Sequence, residues 1–157
     1  MTDQRPEAVI ERFSQLLGEG NIDAMIELYE PDATFAPQPG ESVNGRDAIR
    51  SALNAFLAVQ PRMTGTIEKV LCAGDTALVA NRWSLTGTAP DGSPVEMGAT
   101  SADVLRRRSD GSWGIVIDDP WGVYFLTGRA VTESPRARYH DSDLVPPHEL
   151  ADLAETV

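Results

Sequence analysis

The sequence predicts an α+β fold in which a cone-shaped, curved antiparallel β-sheet wraps around three N-terminal helices. Three observations carry this. Residues 6–59 contain stretches with the 3.6-residue period of amphipathic helices, whereas residues 63–119 have the two-residue period of strands. The separators between the strands, Gly74-Asp75, Pro90-Asp91-Gly92 and Asp110-Gly111, are short and made of turn residues, so consecutive strands should pair as antiparallel hairpins. Each helix has one apolar face, and the sheet is the only surface large enough to cover those faces. A strongly twisted sheet around helices leaves an open-mouthed cone, which is a natural small-molecule pocket.

The elements follow in order. Val9, Ile10, Phe13, Leu16 and Leu17 share one face of a helix over 6–19, which Gly18 and Gly20 end. Asn21 can cap a second helix, because its side chain accepts from orphan backbone amides. Ile22, Met25, Ile26 and Tyr29 share one face of that helix, and Pro31 is expected to stop it. Residues 32–35 read as a short extended piece, and Pro37, Pro39 and Gly40 as a loop. Asn44-Gly45 turns the chain into a third helix over 46–59, with Ile49, Leu53, Phe56 and Leu57 on its apolar face. Strands are expected at 63–72, 76–88, 94–107 and 113–119.

Residues 5–126 form one expected domain. From 127 to 157 the chain has three prolines, many acids and few large apolar groups. That extension reads either as a partly mobile tail or as an arm lying over the pocket or a partner, with a short helix over 147–156.

The formal charge of −11 argues against nucleic acid as a partner, because phosphate binding needs clustered Lys and Arg. Arg106-Arg107-Arg108 is the local exception and reads as a solvated strand end. The lone Cys72 reads as a buried structural thiol. No apolar run suits a membrane span and no signal pattern is seen, so a reducing, cytoplasmic setting is expected. No metal-ligand spacing, phosphate loop or nucleophile elbow appears, so neither metal nor cofactor is expected. His140-Asp-Ser-Asp143 reads as a solvated polar stretch.

Alternation orients the strands. Ala77, Val79, Asn81, Trp83 and Leu85 form the more apolar set of theirs and should face inward. Val95, Met97, Ala99, Ser101, Asp103 and Leu105 do the same in the next. Asp103 then lies among apolar neighbours, where desolvation suits a general acid; alternatively it pairs structurally with an Arg or with backbone amides. In the last strand Ile115, Val116 and Ile117 are all apolar, so both faces should be covered. Trp113, Ile115 and Ile117 are expected to point outward, toward a second subunit in a homodimer.

Several strings resemble the SnoaL-like group of the nuclear transport factor 2-like superfamily, a cystatin-like fold that includes ketosteroid isomerase. They are Asn21-Ile-Asp-Ala-Met-Ile-Glu-Leu-Tyr-Glu-Pro-Asp-Ala-Thr34, Asn44-Gly-Arg-Asp-Ala-Ile49, and Asp110-Gly-Ser-Trp113 leading into Ile117-Asp-Asp-Pro120. The resemblance implies that Val116 and Asp118 face inward. It matches Asp103 to the buried acid of a ketosteroid isomerase. It places Ala36 and Pro37 where such an enzyme has its base, and Phe13 where it has an aromatic hydroxyl, so that activity in its usual form is not expected. Patterns of limonene epoxide hydrolase and scytalone dehydratase are not met.

The expected function is therefore a small-molecule-binding protein for an apolar ligand. It is either a cofactor-free isomerase, cyclase or dehydratase-type enzyme acting by acid–base chemistry on an apolar carbonyl compound, or a non-catalytic binding or dimeric interaction module. A weaker reading is a regulatory partner whose acidic tail docks elsewhere. The expected catalytic residues are Asp118 as base and Asp103 as acid or oxyanion partner, with Asn81 orienting. The expected ligand contacts are Phe13, Tyr29, Phe35, Phe56, Met63, Asn81, Trp83, Met97, Ser101 and Trp121.

Overall fold

The structure, a computed structural model, describes residues 4–122. The expected extension, its short helix and the 140–143 stretch lie outside the described residues. Helix α1 (Glu7–Glu19) ends at Gly20, whose φ of 67° suits a residue without a Cβ, and the Asn21 amide returns to the Leu16 carbonyl at 3.0 Å. The Asn21 side chain caps α2 (Ile22–Glu27) by accepting from the Ala24 amide at 3.2 Å. Helix α3 (Arg46–Leu57) follows the loop, with Ile49 and Leu53 buried.

The second helix is shorter than its period implies. It stops at Glu27, and strand β1 (Tyr29–Phe35) begins where Tyr29 would have continued the helical face. Pro31 thus lies inside a strand rather than ending a helix. Its missing N–H is tolerated because the ladder is interrupted there. The pairing of β1 with its neighbour β7 (Trp113–Asp119) shifts between Tyr29 and Thr34, and β2 (Val43–Asn44) reaches only Thr34 and Phe35.

The remaining strands are β3 (Arg62–Ala73), β4 (Thr76–Thr88), β5 (Pro94–Thr100) and β6 (Ala102–Arg107). The sheet runs β2-β1-β7-β6-β4-β3, with β5 also on β4. All pairs are antiparallel except β1 with β7, so the curled, unclosed sheet is mixed. The expected strand at 94–107 is divided at Ser101, yet both halves keep one register on β4, pairing Arg82 with Thr100 and Val79 with Asp103. The helices cover the concave face. There Leu16, Leu17, Met25, Ile26 and Ile49 pack with Val79, Leu85, Leu105 and Ile115 in one buried core.

Strand β7 holds the main departure from simple alternation. Val104 of β6 pairs with Ile117, and the next residue, Leu105, pairs with Ile115, so Val116 is the extra residue of a β-bulge. Trp113 and Ile115 precede the bulge and are buried inward, not outward as alternation suggested, whereas Ile117 is 43% exposed. The bulge resets the phase and turns Asp118 inward.

The outer surface corrects one further expectation: Cys72 is exposed rather than buried. Arg106 and Arg107 are exposed at the end of β6, as expected of a solvated strand end. Each arginine also has a partner: Arg106 lies 3.9 Å from Asp32, Arg107 lies over the Trp113 ring, and the half-buried Arg108 lies 2.6 Å from Glu30. The Glu30–Arg108 pair crosses the bare Cα of Gly114, where an added Cβ would collide with the Glu30 carboxylate. No helix of the described residues is long and apolar enough to cross a membrane.

Candidate functional site

A narrow pocket opens to solvent between α1, α3 and the concave face. Its walls are apolar. Ile10, Phe13 and Leu17 come from α1, Leu53 and Phe56 from α3, Phe35 from β1, and Met63, Trp83 and Ile115 from the sheet. The polar groups are Ser14, Asn81, Ser101, Asp103 and Asp118. Ser14 is already engaged with the Ile10 carbonyl and the Met63 sulfur.

The remaining polar groups form a chain across the sheet. The Asn81 backbone N–H donates to Ser101 Oγ at 3.3 Å, and the Ser101 hydroxyl donates to Asp103 Oδ2 at 2.6 Å. Asp103 faces Asp118 directly across β6 and β7. The Tyr29 hydroxyl then donates to Asp118 Oδ2 from the far side. Asp103 and Asp118 are both buried, and two carboxylates this close cannot both stay ionised in a dry site.

Environment separates the pair. Burial pushes the Asp118 carboxyl up to about 6, while donation from Tyr29 and Asp103 holds it down. Burial raises Asp103 further from its ordinary value, and the nearby Asp118 charge adds to the rise against the opposing Ser101 hydroxyl. Asp103 therefore keeps its proton and donates to Asp118, which is the ionised member. Burial and the Asp118 charge also raise Tyr29, so it remains a neutral donor. A proton acceptor and a proton donor are thus adjacent at the floor of an apolar pocket, which is the arrangement general acid–base chemistry needs.

Asp119, by contrast, turns away. Its Oδ1 accepts from the Trp121 and Gly122 amides at 3.2 and 3.1 Å, which fixes the turn after β7.

Phe13, Phe35, Phe56, Met63, Asn81, Trp83, Ser101, Asp103 and Asp118 line the pocket, and Tyr29, Met97 and Trp121 do not. Tyr29 sits behind the floor because it belongs to β1, and it acts on Asp118 rather than on the space. Trp121 packs edge-on against Trp83, with ring centres 5.5 Å apart, outside the lining. Met97 pairs with Leu85, further toward the β4–β5 turn than the Trp83–Ala99 pair, and is half-buried against the core.

Ile10, Ser14, Leu17, Leu53, Ile115 and Pro120 line the pocket without having been expected to. Ile10, Leu17 and Leu53 lay on the apolar faces of the helices, which gave a usable signal. Ile115 was hidden by the bulge, and Pro120 gave no signal. Its carbonyl accepts from the Trp83 indole at 2.8 Å and holds the rim.

Among the described residues, no group of three His, Cys, Asp or Glu side chains gathers as for a metal ion.

A model of the SnoaL-like domain matches residues 10–114. Among solved structures, a protein described as a calcium/calmodulin dependent protein kinase II association domain from Xanthomonas campestris is 26% identical. The match covers 71% of this chain and 81% of that one, with a TM-score of 0.60. A ketosteroid isomerase-like protein from Erwinia carotovora atroseptica is 21% identical over 72% of this chain and 89% of its own, with a TM-score of 0.64. An NTF2-like protein with a cystatin-like fold from Novosphingobium aromaticivorans is 20% identical over 84% and 83%, also at 0.64. The last two likenesses show the fold alone. Among curated proteins, none matches the chain.

Proposed function

Because the chain belongs to the SnoaL-like domain family, we propose that its cone binds a small apolar carbonyl compound and acts on it by cofactor-free acid–base chemistry. The observation that supports this reading is the Asp103–Asp118 pair, with one proton between two buried carboxyls at the floor of an open apolar pocket. Asp118 takes a proton from the carbon next to the carbonyl. Asp103 turns its proton to the carbonyl oxygen, where negative charge develops. Tyr29 keeps Asp118 oriented, and Asn81 orients the ligand. Isomerisation, cyclisation and dehydration all begin with this step. A panel of cyclic and aryl ketones in deuterated buffer, followed by NMR, tests it. Loss of the α-proton signal faster than in buffer is expected with the wild-type chain, and no acceleration with any ketone would sink the reading.

A non-catalytic binding module is favoured by one observation: the polar chain from the Asn81 backbone N–H through Ser101 to Asp103, and the Tyr29 bond to Asp118, are made within the protein itself. Such a network can serve to fix the floor without reacting. The ketone panel separates the two, because a binding module shifts ligand signals without exchanging protons.

The chain is further proposed to pair with a second copy through the outer sheet face. Leu71, Leu78, Val104 and Ile117 are partners in register across β3, β4, β6 and β7, which makes one apolar row over that face. Leu71 is 57% exposed and Ile117 43%, so the row needs a cover. The Xanthomonas campestris relative, described as an association domain, is consistent with self-assembly. Sedimentation should show a dimer for the wild type and a monomer for Ile117→Lys. A monomeric wild type, or a dimer unaffected by the lysine, would exclude this interface.

A further inference from the structure

The pocket floor carries a negative charge, and no basic side chain of the described residues lines the pocket. Asp103 and Asp118 are the charged residues of the lining, and no Lys, Arg or His is among it. Two arginines that reach β1 are engaged with its backbone and with Glu30. Arg46 and Arg108 both donate to the Tyr29 carbonyl, and Arg108 also pairs with Glu30. Donation from Tyr29 and Asp103 spreads the Asp118 charge without cancelling it. A buried charge left without a counter-charge is costly, and the open side of the pocket is where one can be supplied.

Two independent features of the same space suit a cation. Phe13, Phe35, Phe56 and Trp83 line it, and aromatic faces attract positive charge. The Asn81 side chain lines it as well, is 5% exposed, and has its Oδ1 without a hydrogen-bond partner among the described residues. This amide lies over the bare Cα of Gly65 on β3, where an added Cβ would come 2.6 Å from Oδ1. The glycine leaves room for an acceptor that the described residues do not use.

We propose that the pocket takes an organic ammonium: a protonated primary amine on an aryl or alkyl body. Its N–H groups are donated to the Asp118 carboxylate and to Asn81 Oδ1, and its hydrocarbon lies among Phe13, Phe35, Phe56 and Leu53. A hydroxyl has a single donor and no charge, so it meets only part of this demand. A carboxylate meets repulsion from Asp118. The inference goes beyond the acid–base reading and does not depend on turnover. A carbonyl substrate bearing an amine satisfies both.

Calorimetric titration of the full chain at pH 7.5 tests this with three probes of similar shape: 2-phenylethylamine, 2-phenylethanol and 3-phenylpropanoate. The amine should bind at least about tenfold more tightly than the alcohol, and the carboxylate should not bind. In Asp118→Asn the amine preference should vanish while the alcohol still binds, which shows that the variant pocket is intact. In Asn81→Leu the amine should bind several-fold more weakly. Equal binding of amine and alcohol, binding of the carboxylate, no amine binding at millimolar concentration, or a preference that survives Asp118→Asn would each overturn the proposal. Amine binding without ketone exchange would remove the acid–base reading alone.

Discussion

Asp118→Asn is expected to stabilise the protein at neutral pH while removing its proton transfer. The Asp118 carboxyl is raised to about 6 in the fold, above its ordinary value, because burial disfavours its charge. The folded chain therefore holds this proton more tightly than the unfolded chain does. The stability linked to it is fully present below the unfolded pKa, near 4, and is lost as pH rises through about 6. At pH 7 the ionised group is a penalty that an amide does not carry. Asn can still accept from the Tyr29 hydroxyl through its oxygen. Urea unfolding at pH 5 and pH 7 checks this. The wild type should lose stability between the two, and the variant about 1 kcal/mol less, because the raised Asp103 carboxyl contributes to the loss in both. A variant less stable than wild type at pH 7 would show that the charge is not a penalty. In the same preparation, ketone proton exchange should fall about 10²–10⁴-fold, the usual contribution of one positioned base.

Tyr29→Phe should act in the opposite direction on stability and should shift the base without touching the pocket wall. Tyr29 is fully buried and donates to Asp118 Oδ2. Removing the hydroxyl leaves a buried carboxylate short of a donor, at a cost of about 1–3 kcal/mol. The lost bond had favoured the ionised form, so the Asp118 pKa should rise above about 6. Carbon-13 NMR of the labelled carboxyl, titrated from pH 4 to 9, reads this directly and needs no substrate. A midpoint that stays put or falls would show that Tyr29 does not control Asp118. Any exchange activity should have its acidic limb, where the base becomes protonated, displaced to higher pH by the same amount.

The fold was legible wherever one face of an element was buried and the other wet. Along β4, Ala77, Val79, Asn81, Trp83 and Leu85 are all buried, while Arg82, Ser84 and Thr86 are exposed, so period alone oriented the strand. The turns were equally plain, because Gly74, Gly92 and Gly111 all take positive φ, the backbone conformation that glycine tolerates most readily. The sequence misled where two rules competed. Tyr29 continued a helical spacing from Ile22, Met25 and Ile26, and Pro31 looked like its stop, but tertiary pairing with Ile115 drew Tyr29 into a strand. In β7, Ile115, Val116 and Ile117 are alike in polarity, so nothing in their identity marked the bulge. Asp103 stood out because its neighbours are apolar, whereas the partnership of Tyr29 with Asp118 joins residues 89 positions apart and left no local trace.

The single extra residue at Val116 has a consequence for how this chain can change over time. The faces of a strand are assigned by counting, and the bulge absorbs one count, so Ile117 and Asp118 keep the partners Val104 and Asp103 that a strand one residue shorter would give them. Loss of Val116 would therefore straighten the strand and leave the carboxylate at the pocket floor. Pairing every residue in turn without the bulge would instead deliver the carboxylate to the surface and an isoleucine to the floor, with no functional side chain itself replaced. In this family member the bulge is as much a part of the inherited chemistry as the aspartate beyond it.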